Sequence, residues 1–90
     1  MPVVWIPPPY RGPTQGAAEI SVAGRTVLDC LQSVEDRYPG FLAFVLDDGG
    51  RIQRFVKLFV NEEQLIDTVG LGTQVSEDDR VDIISAIAGG

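Results

Sequence analysis

A single stretch of this chain has the spacing of a long amphipathic helix. Val27, Leu31, Val34 and Tyr38 recur at intervals of three and four and share one face, while Asp29, Gln32, Ser33 and Asp36 fall on the other. Thr26 can cap the start, with Asp29 three residues on as a weak form of the capping box. Pro39-Gly40 stops it. One helix cannot bury its apolar stripe against itself. It needs a sheet, and the rest of the chain must supply one.

The flanking segments have the period of strands. Residues 3–6 form a short β-branched and aromatic run, ended by Pro7-Pro8-Pro9, which cannot donate to a central ladder. After a turn-rich stretch around Gly12-Pro13, Ala18, Ile20 and Val22 alternate with Glu19 and Ser21. The first two strands thus make an opening hairpin. Residues 54–60 are strongly β-prone, with Val56, Leu58 and Val60 on one face and Phe55, Lys57 and Phe59 on the other. Asn61-Glu62-Glu63 reads as a turn, residues 64–66 as a short strand, and residues 80–86 as a last strand with Val81 and Ile83 on one face. Residues 41–46 suit either a short second helix or a buried connector, and periodicity does not choose. Gly70, Gly72 and Thr73 break their segment into irregular structure. The order is strand, strand, helix, link, strand, short strand, strand. The economical solution is α+β: a mixed sheet with one main helix packed across one face, the β-grasp (ubiquitin-like) arrangement. Residues 1–86 form this domain, and residues 87–90 are expected to be a flexible Gly-Gly tail.

Ninety residues suffice for one core and not for a cleft between two domains. Thirteen acidic against seven basic residues leave a net charge of −6, which disfavours nucleic acid and anionic membrane surfaces. The apolar runs are too short to span a bilayer, and no signal peptide is visible. With one cysteine, Cys30, there is no disulfide framework, so a cytoplasmic setting is expected. The chain has no histidine, which removes the commonest general base and metal ligand. No metal site is expected. Glu77-Asp78-Asp79 lacks the spacing of a calcium loop and reads as a solvated turn.

The most pointed feature is Gly89-Gly90 directly after a strand. Glycine makes up roughly 7% of residues, so a terminal pair arises by chance in roughly 0.5% of chains; the internal pair Gly49-Gly50 shows that position carries the signal. Residues without Cβ atoms can thread a narrow active site and leave the carboxylate unhindered. A frayed end remains the plain alternative.

The RFVKLFVN run at 54–61 with its acidic turn, the segment Arg80-Val81-Asp82-Ile83-Ile84 and the ending Ala86-Ile87-Ala88-Gly89-Gly90 resemble the MoaD/ThiS sulfur-carrier family. The opening, from Ile6-Pro7 through Arg11 to Thr14-Gln15-Gly16, is similar to its CysO-type branch; the extra Pro8 and Pro9 depart from it. The resemblance implies a carrier and co-substrate rather than an enzyme. An adenylating, ubiquitin-activator-like partner would join the Gly90 carboxylate to AMP from ATP, and a sulfur donor would convert it to a thiocarboxylate. A sulfur-accepting biosynthetic enzyme, and a JAMM-type metalloprotease in the cysteine pathway, are further implied partners. The carrier binds no cofactor itself. Family members meet their activating enzymes through the open sheet face, which makes Phe55 and Phe59, with Ile87 and Ala88 of the tail, candidate partner-binding residues; cover by residues 41–46 or by the tail is the other placement. Two further functions stay open: a ubiquitin-like modifier conjugated through Gly90, and a non-covalent binding module with an incidental Gly-Gly end.

Two other motifs have simpler readings. Cys30 lies near the edge of the apolar stripe and reads as a buried structural cysteine. Pro7-Pro8-Pro9-Tyr10 matches a WW-domain ligand in pattern, but a strand terminator and stiff loop accounts for it.

Overall fold

The computed structural model describes residues 1–86. Five strands form one sheet in the order β2-β1-β5-β3-β4: β1 Val3–Trp5, β2 Glu19–Ser21, β3 Val56–Val60, β4 Glu63–Gln64 and β5 Arg80–Ser85. The central strand, β5, runs parallel to its neighbour β1, and every other pairing is antiparallel. A parallel neighbour pair needs a crossover, and the helix-bearing middle of the chain supplies it. The expected β-grasp arrangement is therefore observed.

The main helix, α1, spans Val27–Arg37. Its cap is built as the sequence suggests: the Asp29 N–H donates to Thr26 Oγ1 at 3.1 Å. The carboxylate reaches one residue further back than a capping box would, accepting from the Arg25 N–H at 3.3 Å. Val27, Leu31 and Val34 are fully buried, as is Cys30 between them. Against this stripe lie Val4, Ile20, Val56, Leu58, Val81 and Ile83 from the inner face of the sheet. Alternation thus assigned the strand faces correctly.

Residues 41–46 resolve into a short helix, α2, at Leu42–Val45. Its start is fixed by a side chain that local periodicity does not reveal. Glu35 of α1 accepts from the Leu42 N–H at 2.7 Å and from the Gly40 N–H at 3.1 Å, satisfying donors that a helix start leaves over. Gly40 makes the reversal between the helices at φ +101°, where a Cβ would be strained.

The short strand after β3 lies one residue earlier than expected, at Glu63–Gln64 rather than 64–66. Asn61 and Glu62 both have positive φ, 49° and 74°, so a two-residue loop closes the hairpin and Glu63 already pairs with Val60. Ile66 is then left outside the ladder and 82% exposed. The Gly70–Gly72 region is a 3-10 turn within Thr68–Gly72.

Candidate functional site

The sheet face opposite α1 carries the outward members of each strand. Register sets Trp5, Asp82 and Phe59 side by side across β1, β5 and β3, with Glu19 beyond Trp5 on β2. Ile84 lies one step along β5 and is 38% exposed. Trp5, Phe59 and Ile84, with Glu62, Arg80 and Asp82, border a shallow depression of about 450 Å³. Arg80 ties its polar rim together: Nε donates to Asp82 at 2.7 Å and Nη1 to Glu19 at 2.8 Å. These contacts, the Asp82 bond first, raise the Arg80 guanidinium pKa above its ordinary value. The Arg11 guanidinium sits 5.5 Å from the centre of the Trp5 ring while its Nε donates to the Ile6 carbonyl at 2.8 Å. The face is apolar ground bordered by paired charges.

Phe59 occupies the place expected for it. Phe55 does not share that depression. The backbone turns before β3, with the Val56 N–H donating to the Gln53 carbonyl at 3.0 Å, and Phe55 precedes the ladder. It lines a separate cleft with Ala43 and Phe44 of α2 and with Pro9 and Tyr10. The expectation of one aromatic surface is corrected to two, because the regular alternation starts only at Val56.

Trp5, Ile84 and Phe44 were not singled out by the sequence reading. The same period of two points to the first pair, since Val4 and Ile83 face inward and their neighbours must face outward. Nothing in the sequence alone tells that Phe44 leaves the core while Phe41 enters it.

The last described residue, Ala86, remains tied to the sheet margin through its N–H, which donates to the Phe55 carbonyl at 2.7 Å. The candidate residues Ile87, Ala88, Gly89 and Gly90, and the flexible tail expected there, lie outside the described residues. The chemistry available elsewhere is sparse. Cys30 is fully buried, and burial, then the nearby Asp29 charge, push its thiol pKa up, away from the reactive thiolate. Tyr10 is buried and stacks on Phe44 at 5.0 Å, and Pro8–Tyr10 form a 3-10 turn. A WW domain needs an extended, accessible segment, so this one serves the fold. Among the described residues, no group of three or more His, Cys, Asp or Glu side chains could hold a metal ion. Among them too, no helix is long and apolar enough to cross a membrane.

Comparison with known proteins places this fold in a family. Residues 12–90 match the profile of the ThiS family. This chain belongs to the ThiS family. It is 34% identical over 89 residues to the sulfur carrier protein CysO of Mycobacterium bovis and of Mycobacterium tuberculosis, covering 97% of this chain and 96% of the relative. Among solved structures, a crystal structure of the Amycolatopsis orientalis BexX/CysO complex superposes with a TM-score of 0.89 at 32% identity, over 100% of both chains. Mycobacterium tuberculosis CysO gives 0.88 at 30% identity, over 97% of this chain and 100% of that one. The small archaeal modifier protein 1 of Methanosarcina acetivorans, at 22% identity and a TM-score of 0.81, shares the fold.

Proposed function

We propose that this protein carries sulfur as a thiocarboxylate on Gly90, for use in a biosynthetic reaction. The observation that carries the reading is the near full-length homology to sulfur carrier protein CysO, with a family match that runs through Gly90. The chemistry is an adenylyl transfer followed by an acyl transfer, both on a partner enzyme. A carboxylate is a poor acyl donor, so the carboxylate of Gly90 first displaces pyrophosphate from ATP to form an acyl-adenylate. A sulfide-level sulfur nucleophile then attacks the carbonyl carbon, AMP leaves, and a thiocarboxylate remains. ATP and the sulfur donor belong to the partner, an adenylating enzyme. The open face around Trp5, Phe59 and Ile84 gives that partner an apolar footing, and the paired rim charges orient it.

The thiocarboxylate then acts as a sulfur nucleophile for an accepting enzyme. The accepting reaction is a biosynthetic one in the cytoplasm, making cysteine, a cofactor or a thio-metabolite; in the cysteine case a JAMM-type metalloprotease would release the product.

Mass spectrometry tests the reading. Incubated with ATP, sulfide and its cognate adenylating enzyme, the intact protein should exchange one oxygen for one sulfur, and fragmentation should place it on Gly90. Unchanged mass with a competent enzyme defeats the reading. Gly90 joined instead to target lysines identifies a protein modifier.

A further inference from the structure

We propose that the cleft between Phe44 and Phe55 seats the rim of the channel through which the adenylating enzyme takes the chain end. The inference rests on the sulfur-carrier reading and adds a contact surface separate from the open-face depression. Phe44 on α2 and Phe55 just before β3 are 41% and 48% exposed, and together with Pro9, Tyr10, Ala43 and Arg54 they border a cleft of about 560 Å³. The cleft is pre-formed. Phe44 is stacked on the buried Tyr10 ring, 5.0 Å between centres and 13° from parallel. The Arg54 guanidinium lies 5.4 Å from the centre of the Phe55 ring and places a cation at the edge of the apolar surface. Aromatic side chains already held by neighbours lose little freedom on binding, and adjacent exposed ones mark contact surfaces.

Position names the occupant. The Ala86 N–H donates to the Phe55 carbonyl at 2.7 Å, so the chain leaves the sheet from the backbone of one cleft wall. Four residues follow as far as Gly90. Fully extended they span at most about 14 Å, at roughly 3.5 Å each. An enzyme that encloses them must therefore bring the mouth of its channel against the surface around Ala86, where the cleft lies. The partner chemistry that fits is an aliphatic or aromatic side chain entering between the two rings, with a carboxylate facing Arg54.

The test measures adenylation kinetics and enzyme affinity for the whole protein and three variants, beside thermal melts and sedimentation of the carrier alone. Phe44→Asp and Arg54→Glu should each raise KM and Kd about tenfold with kcat little changed. Val69→Asp alters a side chain 84% exposed on the 3-10 turn that meets the start of α1, and should behave as the unmodified protein. If Phe44→Asp melts far lower, Arg54→Glu alone decides, since Arg54 is exposed and outside the core. Unaltered KM and Kd in Arg54→Glu, with the unmodified protein adenylated, overturn the inference and leave the sulfur-carrier reading standing. Loss of self-association with enzyme affinity unchanged makes the cleft a dimer contact and overturns it equally. An unmodified protein that is never adenylated removes both.

Discussion

Asn61 does more than fill a turn. Its φ of +49° is one that asparagine tolerates better than most residues, and its side chain joins two distant parts of the chain. Nδ2 donates to Asp79 at 2.8 Å, and Oδ1 accepts from the Arg80 N–H at 3.0 Å. The hairpin tip after β3 is thereby fastened to the start of β5. The Asn that follows Val60 in the family-like run thus has a structural cause, which sequence alone presents only as part of a pattern. Asn61→Ala should destabilise by about 1 kcal/mol in denaturant melts, since it loses these bonds and strains the left-handed backbone. Asn61→Gly keeps the backbone and should lose less; equal losses would show that the hydrogen bonds alone matter. Asp79 adds a pH dependence. The Ser76 N–H first, then the Asn61 amide, hold its carboxyl below the ordinary carboxylate pKa. A lowered folded-state value means that the contribution is complete above the ordinary value, roughly pH 4, and is lost as pH falls through the lowered one. Asp79→Asn should therefore lower stability at neutral pH and flatten the acid limb of the profile, because the contribution it removes is already absent at the acid end. Cys30, fully buried with its thiol pKa raised, should resist alkylation until denaturant is added, and Cys30→Ala should still load sulfur.

The regular elements were legible because their periods are local. The stripe Val27, Leu31, Val34 and the alternation of Val56, Leu58, Val81 and Ile83 each sit within a few residues of sequence, and each faces the core as expected. What escaped depends on contacts between elements. The helical form of residues 42–45 follows from a Glu35 carboxylate reaching out of α1, and the early start of β4 follows from two residues with positive φ. Strict alternation over residues 54–60 puts Phe55 with Phe59, because it runs two residues ahead of the ladder, which begins at Val56. Only part of the candidate docking face is therefore visible in the sequence: Phe59 is, whereas Trp5 and Ile84 need the β1–β5 parallel pairing to bring them together. That division is testable on neighbouring residues of opposite facing. Phe59→Asp should keep a cooperative melt and slow adenylation, through loss of an apolar contact at an interface. Ile83→Asp puts a charge into a fully buried site and should cost several kcal/mol, abolishing the fold at ordinary temperature.

At the scale of the whole molecule, the sulfur-carrier reading puts folding and chemistry in different parts of one short chain. Every buried hydrophobic residue among those described lies between Val4 and Ile83, and the sheet, α1, α2 and the 3-10 turns all contribute to the cluster they form. Beyond Ala86 comes the segment that the sulfur-carrier reading makes chemically active. Stability and activity should therefore separate under changes made at Gly90. Deleting Gly90, or adding one residue after it, should move the melting temperature little, because no described core contact is touched. Both changes should abolish adenylation, in opposite senses: the first leaves the carboxylate short of the ATP phosphate, the second carries it past. Gly90→Ala keeps carboxylate and length and introduces one methyl group, so its activity should fall between those of the unmodified and deleted proteins. Thermal melts alongside ATP-dependent adenylation of the three variants check this. An extended protein adenylated as well as the unmodified one would show that activation does not depend on Gly90 being terminal, and would overturn the assignment of the reacting carboxylate to Gly90.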